Sequence, residues 1–314
     1  MIRFALRRVL LAVPTLVLLL TAIFVLVRLV PGDPAAVILG DQASPAALAA
    51  LRGRLGLDQP VAVQYLAFLR DILTFQLGQS LTNGHSVLAE VGSVLPSTLQ
   101  LTAAAMLVAL VLGLPLGVVA AVDRNGWLDY AARLLSLVGL SFPAFVSGIL
   151  LLLVFGIELG WFPVLGSSAG TGSLGEELRS LVLPAFNLGL IMMAYVMRVT
   201  RSSMLGVLGE DYIRTARAKG VRPVRLVMRH ALRNSLIPVV TVVGLYTGTL
   251  IGNSVLTEII FNRPGLGKLI LGALDARDYT LLQGLMVIFG ICVVAVNALT
   301  DVAYGLIDPR VRYD

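Results

Sequence analysis

Residues 210–238 read EDYIRTARAKGVRPVRLVMRHALRNSLIP, a strongly basic stretch set between two apolar segments, each long enough to cross a bilayer. Glu210 and Asp211 open it, Arg214, Arg217 and Lys219 fill its later turns, Gly220 follows, and Pro223 stands three residues on. Acids at the positive N-terminal end and bases at the negative C-terminal end complement a helix macrodipole. Gly220 supplies a left-handed position just past the helix, and Pro223 prevents continuation. The pattern predicts a helix of about ten residues, too short to be stable alone in water. Such a helix needs a partner surface, and Tyr212, Ile213, Thr215 and Ala216 are available to meet one. A plainer reading is a loop made basic to fix membrane topology, which needs scattered charges but neither a capped helix nor an Ala-rich face.

Composition narrows the setting. With 57% hydrophobic residues, 13% charged residues and a mean hydropathy of +0.90 over 314 residues, the chain reads as a multi-pass membrane protein. The single cysteine, Cys292, lies in an apolar segment, which excludes a disulfide framework and a CxxC site. His85 and His230 are too few and too far apart for a metal cluster, so no metal site is expected.

Six apolar segments give an all-α fold class with six transmembrane helices: 9–30, 96–122, 130–157, 181–197, 235–255 and 281–306. The first follows Arg3, Arg7 and Arg8, is too long for a secretory signal, and carries Arg28 near its far end, where it snorkels to the interface. Three regions follow: 1–30, the tail and first span; 31–95, an extracytoplasmic region with amphipathic helices; and 96–314, a five-helix core whose loop at 198–234 holds the basic stretch. In the second region Ser44 and Pro45 open a helix bearing Leu48, Leu51 and Leu55, and another run holds Tyr65, Phe68, Leu69 and Ile72. Within the core, Gly113, Pro115 and Gly117 mark a close approach of helices, and Ser141-Phe142-Pro143 a kink. The segment 158–180 reads as a Gly- and Ser-rich loop with Trp161 at the interface.

With six spans both termini share a side. That side carries sixteen of the 24 Lys and Arg, while the other holds eleven of the eighteen acids. The positive-inside rule puts both termini and the opening stretch in the cytoplasm. The net charge of +6 is then a topology signal, and a nucleic-acid partner is not expected.

Catalytic chemistry is missing from the sequence. The six apolar cores lack Asp, Glu, His and Lys apart from ends such as Asp301, so the buried ionisable groups of an ion-coupled carrier are absent. Residues 262–269, NRPGLGKL, imitate a phosphate loop but lack its first Gly and its final hydroxyl. Polar residues on apolar helices are the pointers to a translocation pathway: Ser141, Asn187, Thr241, Tyr246, Thr249, Asn253 and Ser254. Tyr246, Thr249 and Asn253 recur at i, i+3 and i+7 on one face. Taken singly, residues of this kind more often form interhelical hydrogen bonds, but a polar face on a lipid-buried helix belongs toward a partner helix or a hydrated path, and this one is expected to line the path.

Residues 212–220 and 229–238, YIRTARAKG and RHALRNSLIP, resemble the cytoplasmic signature of the DppB/OppB-type peptide permeases, integral-membrane subunits of binding-protein-dependent ABC importers. PGDP at 31–34, GLDQP at 56–60, FNRPGLG at 261–267 and RDY at 277–279 extend the likeness. FQLGQS at 75–80 departs from the family's GDLGxS, and the general signature's Glu is missing. The resemblance implies a type I importer permease fold. It also implies that Asp211, Tyr212, Arg214, Thr215, Ala216, Ala218, Lys219 and Gly220 form a coupling helix seated on a separate ATPase. Glu258, Arg263 and Asp278 would lie by the extracytoplasmic mouth, as a gate or a binding-protein contact, unless the segment is only a Gly/Pro turn. Implied partners are a second homologous permease, two ATPase subunits or domains, an extracytoplasmic substrate-binding protein and membrane lipid. ATP and Mg would sit on the ATPases, with no cofactor on this non-catalytic chain, in a bacterial or archaeal cell membrane. The implied substrate is a di- or oligopeptide, with nickel or glutathione as alternatives in the same family. A self-sufficient secondary transporter and a non-transporting membrane scaffold are the rivals from other classes.

Overall fold

In the computed structural model residues 2–29, 34–39, 43–54, 56–164 and 173–307 are described, without the side chains of 2–9, 34, 37–38, 54, 301 and 303–307. Pro31, Gly32 and Asp33 of PGDP, Leu55, the tip of the Gly/Ser loop at 165–172 and the tail from Asp308 lie outside the described residues. The described chain is helical, apart from one isolated bridge between Gln79 and Ser86. In order the helices are α1 (Ile2–Leu29), α2 (Pro34–Leu39), α3 (Pro45–Arg54), α4 (Val61–Leu73), α5 (Val87–Val122), α6 (Trp127–Ser141) and α7 (Ala144–Leu151). Then come α8 (Leu174–Leu208), α9 (Asp211–Ala218), α10 (Pro223–Arg225), α11 (Leu232–Ile260), α12 (Leu266–Asp275) and α13 (Tyr279–Ile307). Wider π-helical turns at Leu152–Glu158 and Leu226–Ala231 extend α7 and lead into α11.

Five of these helical segments are long and apolar enough to cross a membrane, and a sixth span exists if α6 and α7 count as one. The expected kink at Ser141-Phe142-Pro143 is a break of 106°. Pro143 forces Phe142 into an extended conformation (φ −84°, ψ 128°), which no helix continues through. Helices also overrun their apolar cores. α5 begins nine residues before Pro96, and α8 begins at Leu174 within the expected loop, because Ser173 and Glu176 form a capping box there. At 35 residues α8 is about 52 Å long, well beyond the hydrocarbon thickness. Its far end therefore carries Arg198 and Arg201 inside a helix.

The chain divides into two compact units, one of residues 1–8, 97–264 and 296–314, the other of 9–96 and 265–295. Residues 265–295 thus group with the N-terminal segments. In this second unit Leu20, Ile23 and Phe24 of α1 pack with Phe68 of α4 and Val287 of α13. The Tyr65 ring meets Phe24 edge-on, its hydroxyl 2.6 Å from that of Thr21. Ser44 caps α3 by accepting from the Ala47 N–H at 3.2 Å.

The first unit is built on α8, whose Leu188, Met192, Met193 and Val196 are buried with Leu101, Ala105 and Ala109 of α5 and Val239 and Leu250 of α11. Lipid tails are as apolar as Leu, so close contact rather than flight from water holds these helices together. Glycine permits the contact. A methyl group at Gly113 would lie 2.9 Å from the Met193 carbonyl, and one at Gly117 2.6 Å from the Thr200 side chain.

Candidate functional site

The basic stretch folds as its spacing predicts. Helix α9 runs for eight residues, Lys219 is its cap, and Gly220 follows at φ +75°. The Gly220 N–H donates to the Arg217 carbonyl at 3.0 Å and the Val221 N–H to the Ala216 carbonyl at 3.2 Å, the paired bonds of a Schellman ending. Pro223 then opens α10.

One face of α9 is used up by the chain itself. Ile213 is fully buried with Ala121, Met204, Leu226 and Ala231, and Ala216 is half-buried on the same cluster. Of the four residues expected to be free for a partner, these two are therefore engaged inward. The Tyr212 ring is partly exposed, and its hydroxyl accepts from the Asn234 amide at 2.8 Å, tying α9 to the start of α11. Asp211, Arg214, Thr215, Ala218 and Lys219 face outward, as does Arg217. Arg214 pairs with Asp211 at 2.7 Å, an exposed contact worth little by itself. The result is a short helix pinned along one side, presenting a basic outer face.

One turn before Met204 lies a buried ion pair with no clear signal in the sequence. Asp129 on α6 has no exposed side-chain surface, and both its oxygens accept from Arg201 on α8, the Nη2 to Oδ2 distance being 2.7 Å. Arg133 approaches to 3.3 Å and the Asn125 N–H donates at 3.0 Å. Arg198 donates to the Ser136 hydroxyl at 3.2 Å, a second rung between the same helices.

The residues chosen for a pathway separate into two groups. Asn187 is 1% exposed, accepts from the Ser147 hydroxyl at 2.7 Å and reaches Thr257 at 3.5 Å. It is a buried knot joining α7, α8 and α11. Ser254 is likewise buried and donates to the Ile251 carbonyl; Thr241 donates to the Ile237 carbonyl. Tyr246 is half-buried against Tyr195, the ring centroids 4.3 Å apart. Thr249 and Asn253 are exposed on α11 along with Leu245, Gly252 and Leu256, and Ser141 is exposed at the break after α6.

Glu258, Arg263 and Asp278 are all buried, so their side chains are not on a surface that a docking protein would meet directly. Glu258 accepts from the Thr98 hydroxyl at 2.6 Å, and Arg263 donates to Gln100 at 2.8 Å. Burial pushes the Arg263 guanidinium down from its ordinary range, against the pull of Glu258 and Glu177. Asp278 accepts from the Ser80 hydroxyl at 2.6 Å and from the Thr82 and Leu281 N–H groups. Its burial favours the neutral acid, but these bonds prevail and hold the carboxyl below its usual range. Glu258, Asp129 and Arg201 also show that the helices do hold charges, in the turns beyond the apolar cores.

A bundle of long apolar helices with one short basic helix fastened to its side is the architecture of a polytopic membrane permease. The chain belongs to the family described as the binding-protein-dependent transport system inner membrane component, whose model matches residues 113–313, with the companion N-terminal model matching 1–102. It is 41% identical to the dipeptide transport system permease protein DppB of Alkalihalophilus pseudofirmus over 333 residues, covering the whole of both chains. It is 40% identical to the glutathione transport system permease protein GsiC of Salmonella choleraesuis over 313 residues, again covering both. An inward-facing structure of the MetNI methionine ABC transporter shares the fold, with a TM-score of 0.55 and 18% identity over 70% of this chain and 96% of that one. The chain is a transmembrane permease subunit of an ABC importer.

Proposed function

We propose that this permease carries di- or oligopeptides, and that α9 is the point at which a separate ATPase drives it. The observation that carries the coupling role is the geometry of α9: Ile213 and Ala216 anchor it to its own bundle while Arg214, Thr215, Arg217 and Ala218 face outward. A helix held this way transmits displacement to α8 and α11, which its anchoring cluster joins. ATP and Mg belong to the ATPases, and this chain performs no covalent chemistry. A second homologous permease would complete the pathway, with the exposed stripe of α11 containing Thr249 and Asn253 as the side turned toward it, and a binding protein would deliver solute from outside. Both termini and α9 lie in the cytoplasm, as the charge distribution requires, in a bacterial or archaeal cell membrane.

The substrate assignment follows the dipeptide relative. Glutathione is the second reading, favoured by a relative of nearly equal identity and itself a modified tripeptide.

The coupling role is tested with Thr215→Glu/Ala218→Glu in the assembled transporter. Ala216→Glu is a poorer test, because it drives a charge into the chain's own core. Placing two acids on the docking face is expected to weaken ATPase association by about 2 kcal/mol, roughly thirtyfold, while insertion stays intact. Undiminished uptake would overturn the role. Uptake of dipeptide, tripeptide, glutathione and nickel compared in one assay decides the substrate. Flux through the purified chain alone, without ATPase, would overturn the reading as a whole.

A further inference from the structure

The unit of residues 9–96 and 265–295 contains a cavity of about 590 Å3 that the transport reading leaves unused. Phe68, Ile72, Leu77 and Val287 give it an apolar wall, and Arg28, in the last turn of α1, stands at its polar end. The guanidinium is built into place. Its Nε and Nη2 both donate to Gln64 Oε1, at 3.2 and 2.9 Å, Nη1 donates to the Phe24 carbonyl at 3.3 Å, and its carbon lies 3.5 Å from the Phe24 ring centroid. Gln64 is fixed in turn, because its amide nitrogen donates to the Leu57 and Gln59 carbonyls at 3.1 and 2.8 Å, which turns Oε1 toward the arginine.

None of these partners is charged. Among the described residues no carboxylate pairs with Arg28, and Asp71, which also lines the cavity, is engaged by Arg70 at 2.9 Å. An oriented guanidinium with neutral partners and donor capacity to spare is a receptor for an anion. Its depth in the membrane decides which anion. Residues 10–29 of α1 are a spanning segment, and Leu26 and Leu29 beside Arg28 are 53% and 71% exposed, so this turn stands where acyl chains give way to phosphates.

We propose that this cavity is a phospholipid site: Arg28, oriented by Gln64, receives the phosphate of an anionic phospholipid, and an acyl chain lies along Phe68, Ile72, Leu77 and Val287. The site rests on α1 crossing the bilayer and is independent of the transported solute. By filling the cavity lined by α1, α4 and α13, the lipid stabilises the unit that holds it.

The experiment uses the assembled transporter, purified and returned to nanodiscs of phosphatidylglycerol and phosphatidylcholine, with retained phosphatidylglycerol counted by native mass spectrometry. Arg28→Ala is expected to lower retention about tenfold and Arg28→Lys by less, since the ammonium keeps the charge but loses the fork. Ile72→Trp keeps the cation, fills the apolar wall and is also expected to reduce retention, so the proposal stays testable if Arg28→Ala folds poorly. Wild-type retention in both Arg28→Ala and Ile72→Trp overturns it. So does displacement of the lipid by inorganic phosphate alone, which would make this a simple anion site, or by dipeptide, which would make it a solute site.

Discussion

Phe75 occupies the left-handed region at φ +56°, at the end of α4, where the peptide-permease pattern has glycine. Its N–H donates to the Ile72 carbonyl and that of Gln76 to the Asp71 carbonyl, so the turn is the same Schellman ending that Gly220 makes, built with a residue that strains it. The ring is 66% exposed and contributes little packing. Phe75→Gly is therefore expected to stabilise the protein by about 0.5–1 kcal/mol, the steric relief exceeding the entropy glycine adds to the unfolded chain, as a rise in thermal-unfolding midpoint in detergent. Asp278 makes a prediction in pH. Because its folded pKa lies below the unfolded value of about 3.9, its contribution is fully present above about pH 4 and is lost as pH falls through the folded value. Asp278→Asn should remove that part of the acid destabilisation, and a variant with an unchanged acid limb would show that the carboxylate is not responsible.

Helices α6 and α8 are joined by polar rungs, α5 and α8 by glycine contact. Arg201→Ala would leave the buried Asp129 carboxylate with only the more distant Arg133 and the Asn125 N–H, so it is expected to cost about 3 kcal/mol and to lower the yield of folded protein. Gly117→Leu should cost about 1–3 kcal/mol, since even its Cβ would meet Thr200 at 2.6 Å and neither helix has room to withdraw. The pair also gives α9 its footing, because Arg201 lies one turn before Met204, on which Ile213 packs. Loss of Arg201 would thus loosen both the α6–α8 joint and the seat of the proposed coupling helix.

For the molecule as a whole the testable property is orientation. In a Cys292→Ser background, a single cysteine at Arg217 is expected to react with a membrane-impermeant reagent only from the cytoplasmic face, and one at Gly84 only from the opposite face. Both positions are exposed. Labelling of the two positions from the swapped faces would invert the orientation expected from the distribution of Lys and Arg, and labelling of both from one face would overturn their placement on opposite sides.

The apolar runs, the Schellman ending at Gly220, the caps at Ser44 and the close approach at Gly113 and Gly117 were all legible in the chain, because each depends on neighbours within a turn or two or on residue size alone. Asn187 and Glu258 were not, since a polar residue in an apolar run reads the same whether it lines a path or ties helices together. Their partners lie far along the chain, Thr257 seventy residues from Asn187 and Thr98 one hundred and sixty from Glu258. The inward turn of Ala216 and the pairing of Asp129 with Arg201 likewise depend on which helices lie side by side. Local propensity sets where a helix begins and ends; which of its faces is covered is decided by packing between segments distant in sequence.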